Sequence, residues 1–208
     1  MNGERMTRLV LGTRNPHKLA ELRELLRDLP IPLLDLSQFP LAPQVEETGS
    51  TFHENATIKA ITLARALGEW VLAEDSGLVV PALGGEPGVH SAVYAGRHGD
   101  DAANNALLLE RIAQVPDEKR EAFYVCVAVL ADPLGTVRAQ TEGHCHGRIA
   151  KQARGQHGFG YDPLFEIPEY HRTFGELSPL AKRVLSHRAR AVEKLLPHLR
   201  RFLDTTAP

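Results

Sequence analysis

The sequence has no run of about 18 consecutive apolar residues, so no segment reads as a membrane-spanning helix. It has no surplus of positive charge either. Its 24 Lys and Arg residues face 26 Asp and Glu, for a formal net charge of −2, whereas a protein that coats nucleic acid normally carries a basic excess. A local basic pocket survives that argument, because net charge says nothing about distribution. Cysteine is scarce: Cys126 and Cys145 both fall in segments that read as strands. Two thiols do not make a disulfide framework, which points to a reducing compartment. The stretch from Met1 to Arg8 is polar and lacks an apolar signal region, so a cytoplasmic location is the default expectation. Internal repeats and low-complexity segments are also missing. What remains is ordinary globular composition: 208 residues, 43% hydrophobic and 24% charged. That length suits one large domain, or two interlocked lobes, with a substantial core.

The order of elements reads as β-α-β-α-β, then a hairpin, then helix. Leu9-Val10-Leu11 is a short apolar strand, and a helix follows with Asn15 as N-cap and Pro16 as first helical residue. Leucines at 19, 22, 25, 26 and 29 keep helical spacing up to Pro30. Residues 31–36 form the next strand. Thr51-Phe52-His53-Glu54 has the form of a capping box, opening a helix that Gly68 closes. A strand over Val71 to Ala73 ends at Glu74-Asp75-Ser76-Gly77, and Leu78 to Val80 would continue it beyond Gly77. Residues 81–101 are a long glycine-rich loop, and long loops in compact domains tend to be functional. Asp100 or Asp101 caps a helix running to about Gln114. Strands over Ala122–Leu130 and Val137–Cys145 flank an Asp132-Pro133-Leu134-Gly135 turn. A final helix runs from Ser178 to about Leu203, with Pro197 expected to interrupt it. This is an α/β protein with a mixed sheet.

Four stretches carry chemistry. Thr13-Arg14-Asn15-Pro16-His17-Lys18 lies where the first strand becomes the first helix. Amide groups at a helix N-terminus, with a lysine in the first turn, suit a phosphate. The loop has too few glycines for a Walker or dinucleotide motif, and a plain capped helix with a surface lysine is the competing reading. Glu46-Glu47 precedes the second helix, Lys59 lies inside it, and Asp75 follows a strand. Acids at strand ends in α/β folds tend to face the ligand. Mg²⁺ takes a few carboxylate oxygens and keeps waters or phosphate oxygens, so Glu47 and Asp75 suit it if folding brings them together. Otherwise Glu46 and Glu47 are a solvated loop pair, and Lys59 lies along a helix surface. Gly158-Phe159-Gly160-Tyr161-Asp162-Pro163 joins flexible backbone to two rings and an acid, a combination suited to stacking on a nucleobase. A tight turn with its rings on the core is the alternative. Lys182 and Ser186-His187-Arg188 would be a basic stripe on a continuous helix. If Ser186 caps a second helical segment, His187 and Arg188 instead present donors at a helix N-terminus.

Together these stretches resemble the inosine triphosphate pyrophosphatase family, the non-canonical purine triphosphate pyrophosphatases. The matching segments are TRNPHK at 13–18, EETGSTFHENATIKA at 46–60, EDSGL at 74–78, GGEPGVHSAVYAG at 84–96, GFGYDPLF at 158–165 and ELSPLAKRVLSHR at 176–188. The resemblance implies an elongated, two-lobed α/β fold, a mixed sheet flanked by helices around a central cleft. It would form a single domain over residues 1–208, with 1–7 and 204–208 as flexible tails, and would be a homodimer. It implies Mg²⁺-dependent hydrolysis of ITP, dITP or XTP to the monophosphate and pyrophosphate, with no nucleic-acid or membrane partner. Asp75 would accept the proton of the attacking water and, with Glu47, bind the metal. Thr13, Arg14, Asn15, His17, Lys18 and Lys59 would hold the triphosphate, and Ser76 would touch substrate. Phe159, Gly160, Tyr161, Asp162, Lys182, His187 and Arg188 would form the base pocket. Glu74 departs from the family's commoner aspartate. Ala181 and Arg183 also depart from the usual residues beside the lysine, and both are expected to face solvent.

Two other classes remain in view. A regulatory nucleotide-binding module could dispense with Glu47 and Asp75, yet both acids are present. A metal protein built on His144-Cys145-His146 would have two histidines on one strand face, too few for a tetrahedral zinc site. Among enzymes, a pyrophosphatase for modified pyrimidines would be expected to lack the His187-Arg188 pair.

Overall fold

The computed structural model describes residues 5–203, so most of the two expected tails lies outside the described residues. Met6 is an exception: it is buried, and its N–H donates to the Phe202 carbonyl at 3.1 Å. The chain forms an α/β fold on one seven-stranded mixed sheet, ordered β2-β1-β3-β4-β5-β6-β7. The strands are β1 (Leu9–Leu11), β2 (Leu33–Asp35), β3 (Val71–Val79), β4 (Glu121–Ala131), β5 (Val137–Ile149), β6 (Phe165–Ile167) and β7 (Arg172–Thr173). The helices are α1 (Pro16–Leu25), α2 (Phe52–Leu67), α3 (Asp101–Ile112), α4 (Pro179–Leu185) and α5 (His187–Leu203). Strand β1 pairs in parallel with β2 and β3, whereas β6 pairs antiparallel with β5 and β7. None of the described helices is long and apolar enough to cross a membrane.

The chain divides into two compact units. The first takes the chain up to Asp75, then Cys126–Gly143, then Arg188 onward. Strand β1, β3 as far as Asp75 and β4 from Cys126 on are buried on both faces, and the twofold side-chain alternation of a strand sorts their residues cleanly. Leu9, Leu11, Leu72, Cys126, Ala128 and Leu130 pack with Leu22 of α1, with Leu26 just past its end, and with Ala191, Leu195 and Leu199 of α5. Val10, Val71, Ala73, Val127 and Val129 pack with Ala56, Ala60, Leu63 and Ala64 of α2. The continuous apolar runs in β1, β3 and β4 are therefore what a strand between two helical layers requires.

Helix α2 begins as its sequence predicts. The Thr51 hydroxyl accepts from the Glu54 N–H at 3.1 Å, and the Glu54 carboxylate accepts from the Thr51 N–H at 3.2 Å. Losing such a cap costs about 1 kcal/mol. Thr51→Ala is thus expected to lower the melting midpoint by roughly 2–4 °C. A thermal melt followed by circular dichroism checks this, and an unchanged midpoint would mean that the cap contributes nothing.

The second unit takes Ser76–Val125 and His144–His187. Its core gathers Leu78 and Val80 of β3, Leu108 and Ile112 of α3, Tyr124 of β4, Cys145 and Ile149 of β5, and Tyr161, Phe165 and Phe174. Arg120 donates to the carbonyls of Ile149, Ile112 and Ala150 at 2.9, 3.0 and 3.1 Å, which ties α3 to the end of β5.

Several boundaries differ from expectation. Strand β3 passes without a break through Glu74–Gly77, so the expected continuation beyond Gly77 belongs to the same strand, which ends at Val79. Strand β5 reaches Ile149, because β6 supplies partners for its last residues: Arg148 faces Glu166 and Ile149 faces Phe165. The last helix breaks at Ser186 and not at Pro197, which lies inside α5. Pro197 and Glu193, the residue whose carbonyl it leaves unbonded, are both exposed, so the lost hydrogen bond falls on the solvent side.

Candidate functional site

In the first unit the chemistry is organised by two consecutive residues of β3. Neighbours on a strand point to opposite faces. Glu74 follows the Leu72 parity toward α1 and α5, and Asp75 follows the Ala73 parity toward α2. The two acids therefore serve different clusters, a separation hidden while they are read as the end of a strand.

Asp75 is 5% exposed. Its Oδ1 lies 3.2 Å from Lys59 Nζ, and its Oδ2 accepts from Asn55 Nδ2 at 3.2 Å. Asn55 and Lys59 stand one turn apart on α2 and so share a face. Lys59 Nζ also lies 3.3 Å from Glu47 Oε1, which places one ammonium against both carboxylates. Burial pushes the Asp75 carboxyl above its ordinary value, with the Glu47 and Glu74 charges adding to the rise and Lys59 and Lys18 opposing it. Burial works against the charged form of Lys59, but Asp75, Glu47 and Glu74 outweigh it and hold the ammonium above its usual value. Two hard oxygen donors already spanned by a cation fit Mg²⁺, which is commonly bound by one or two carboxylates plus substrate phosphates. No group of three or more His, Cys, Asp or Glu side chains arranged to hold a metal occurs among the described residues. His144 and His146 flank Phe123 at ring distances of 5.6 and 5.5 Å and form no such group.

Glu74 is fully buried beneath α1 and α5. Lys18 Nζ lies 3.0 Å from its Oε1, the Arg188 guanidinium 3.4 Å from the same oxygen, and the Cys126 thiol donates to Oε2 at 3.4 Å. Burial alone would raise the Glu74 carboxyl, but Arg188 and Lys18, with Lys59, hold it far below the ordinary carboxylate range. Arg188 is itself 1% exposed and also pairs with Glu21. The expected base-reading arginine is thus placed in the first unit, its guanidinium taken up by two carboxylates.

The loop at 13–18 forms the expected cap. Asn15 Oδ1 accepts from the N–H groups of His17 and Lys18 at 2.9 and 3.2 Å, and the Thr13 hydroxyl accepts from the Asn15 N–H at 3.2 Å. Two of the amide donors that an anion could use at this terminus are therefore already engaged. Arg14 is exposed and donates to the Ala42 carbonyl at 2.9 Å. Lys18 supplies a full positive charge at the start of α1, anchored on Glu74.

The second unit holds a separate cluster around Asp162, which is 2% exposed. Its Oδ2 accepts from Lys182 Nζ at 2.5 Å and from the Phe159 N–H at 2.9 Å, and its Oδ1 from the Tyr124 hydroxyl at 3.4 Å. Gly158 is required here, because a Cβ would lie 1.9 Å from Asp162 Oδ2. The Lys182 ammonium sits 4.4 Å from the centre of the Phe159 ring, a cation–π contact. Burial pushes the Tyr124 hydroxyl well above its ordinary value, with the Asp162 charge adding to the rise. The His187 ring stacks on Tyr124 at 4.6 Å and 12° between planes, so the Ser186 break does present His187 at the start of α5. Tyr161 turns inward and its hydroxyl donates to the Ser91 carbonyl at 2.8 Å, so its ring belongs to the core. Ser76 follows Asp75 on β3 and is half-buried. Ala181 and Arg183 were expected to face solvent, but both are half-buried, and Ala181 packs on the second unit's core.

Sequence reading missed Tyr124, Asn55, Glu21 and Cys126. The one-turn spacing of Asn55 and Lys59 on a well-capped helix was an available signal; the others act through contacts distant in sequence.

The model of the Ham1 family matches residues 9–198. The chain belongs to the Ham1 family. A relative from Rhodopirellula baltica named dITP/XTP pyrophosphatase is 53% identical over 203 residues, covering 98% of each chain. A Geobacter sulfurreducens protein of the same name is 50% identical over 194 residues, 93% of this chain and 97% of that one. Among solved structures, a HAM1 protein from Coxiella burnetii matches this Ham1-family chain with a TM-score of 0.86 at 42% identity, covering 94% of this chain and 100% of that chain. The Staphylococcus aureus Ham1 protein matches with a TM-score of 0.83 at 37% identity, covering 93% of this chain and 98% of that chain.

Proposed function

We propose that this protein hydrolyses non-canonical purine nucleoside triphosphates, ITP, dITP or XTP, to the monophosphate and pyrophosphate. The observation that carries the reading is Asp75: a buried carboxylate with a raised proton affinity, held at 3.2 Å by both Lys59 and Asn55. The names of the relatives point to the same reaction.

The phosphate chemistry falls to the first unit. Water attacks the α-phosphorus, the bond to the bridging oxygen breaks, and Asp75 takes the water's proton as pyrophosphate leaves. Negative charge builds on the departing oxygens, and Lys59 and Lys18 are fixed cations that stabilise it without reorganising. Glu47 and Asp75 would hold Mg²⁺, which supplies further charge neutralisation of the polyphosphate when bound. Base recognition falls to the second unit. Phe159 offers a ring face for stacking, and His187 offers a donor to the oxygen at purine position six. Adenine carries an amino group there, so a buried donor would be left facing a donor. Such mismatches discriminate by about 10⁴–10⁵-fold in well-built sites. The homodimer belongs to the same proposal.

The test is pyrophosphate release from ITP, XTP, dITP, GTP, ATP and dTTP, with and without Mg²⁺. Strong Mg²⁺-dependent release from ITP and XTP is expected, with ATP and dTTP near background. Equal release from every nucleotide would remove base recognition from the reading. No release from any would leave a nucleotide-binding module without catalysis.

A further inference from the structure

Helix α3 carries no residue of the clusters described above, yet it holds the aromatic loop of the second unit at one point. Gly160 lies between Phe159 and the Tyr161-Asp162 pair. Its N–H donates to Asp101 Oδ2 at 2.7 Å, and its carbonyl accepts from Asn105 Nδ2 at 2.9 Å. Asp101 and Asn105 are four residues apart near the start of α3, one turn of the helix, so both project from one face. Both polar groups of a single loop residue are thereby fixed to a rigid element.

Gly160 is in the left-handed conformation, with φ of 61°. A glycine there would otherwise be free to change conformation, and Phe159 and Asp162 would move with it. Helix α3 is fixed in turn: Asp100 accepts from the Ala103 N–H at 3.1 Å, and Leu108 and Ile112 are buried in the core. The next residue on α3, Asn104, is buried and accepts from the Ala95 N–H at 2.8 Å. The first turns of α3 thus hold two segments, residues 92–96 through Asn104 and the glycine-rich loop 158–163 through Asp101 and Asn105.

We infer that Asp101 and Asn105 are positioning residues for base selectivity: by clamping Gly160 they set the position of the Phe159 ring and the Asp162 carboxylate against the purine. This rests on the proposed function, in which the Phe159 ring stacks on the base, and on the expectation that Asp162 lines the same pocket. Neither residue belongs to the Asp75 cluster to which the phosphate chemistry is assigned, so their effect falls on binding and discrimination. Displacing a recognition group by about 1 Å can cost on the order of 10²-fold, and well-held sites depend on such supporting contacts.

The test compares wild type with Asn105→Asp, Asp101→Ala and Asp101→Asn. Asn105→Asp keeps the shape of the side chain but turns a donor into an acceptor facing the Gly160 carbonyl. Asp101→Asn keeps an acceptor for the Gly160 N–H, and Asp101→Ala does not. Steady-state pyrophosphate release from ITP and from ATP is measured, together with hydrogen exchange of residues 156–163. Asn105→Asp and Asp101→Ala are expected to raise KM for ITP and to lower the ITP-over-ATP preference by roughly 10-fold or more. Their loop exchange should be faster, and Asp101→Asn should recover most of the preference lost in Asp101→Ala. An equal fall in kcat for both nucleotides, with the preference kept, would overturn the inference and leave α3 a plain support. An unchanged preference in all three variants would overturn it while leaving the proposed function standing. A wild-type protein inactive on ITP would overturn both.

Discussion

Asp75→Asn is expected to keep the fold and to lose roughly 10²–10⁴-fold of its rate of pyrophosphate release from ITP, the usual cost of removing a general base. The substitution is nearly isosteric, and asparagine retains an oxygen that can accept from Asn55 Nδ2, now 3.2 Å from the carboxylate. Lys59 would lose one partner but keep Glu47 at 3.3 Å. Burial already weakens the preference of Asp75 for its charged form, so replacing that charge removes little folding energy. Catalysis has no such reserve, because an amide cannot take the proton from water. The measurements are a thermal melt and the release assay on the same preparation. Full activity in a folded variant would remove Asp75 from the chemistry. A collapsed melt would show that the carboxylate is chiefly structural; Lys59→Met, which removes the cation opposite, then tests the cluster from its other side.

How far the sequence disclosed this arrangement depends on the range of the interaction. Asn15 before Pro16, Thr51 with Glu54, Asp100, and Ser178 before Pro179 all cap helices where they were expected to, because capping is decided within three or four residues. The apolar strands were legible for the same local reason. The Glu74-Asp75-Ser76 run was not: three polar residues before glycine read as the end of a strand, yet β3 continues through them. They can lie in a buried strand because Lys18 and Arg188 wait on one face and Lys59 on the other, and those partners come from three other parts of the chain. Hydropathy cannot register such compensation. The Tyr124 ring against His187 is hidden in the same way, since 63 residues separate them in the numbering. The break at Ser186 was visible as a capping signal, but not that it would send His187 to the second unit and Arg188 to the first.

Arg188→Ala is the substitution with the largest expected effect on stability. The Glu74 side chain is wholly buried, and Arg188 is 1% exposed. Removing one partner of a buried ion pair leaves an uncompensated charge and costs about 3–5 kcal/mol. Lys18 at 3.0 Å and the Cys126 thiol still face the Glu74 carboxylate, which places the expectation at the lower end, about 3 kcal/mol. Glu21 also loses the Arg188 guanidinium, but its side chain is 26% exposed and water can replace the arginine. The double variant Glu74→Gln with Arg188→Met removes both charges together and should recover most of the lost stability, as buried pairs replaced by groups of similar volume commonly do. It should not recover activity, because Lys18 would then have lost the carboxylate that holds it. Urea unfolding gives the stabilities, and release from ITP and ATP gives the rates. Since the guanidinium lies on Glu21 and Glu74, the single variant should slow both nucleotides by the same factor. A selective loss for ITP, with an unchanged urea midpoint, would mean that Arg188 leaves its carboxylates to read the base, and the charge of Glu74 would then have to be borne by Lys18 alone.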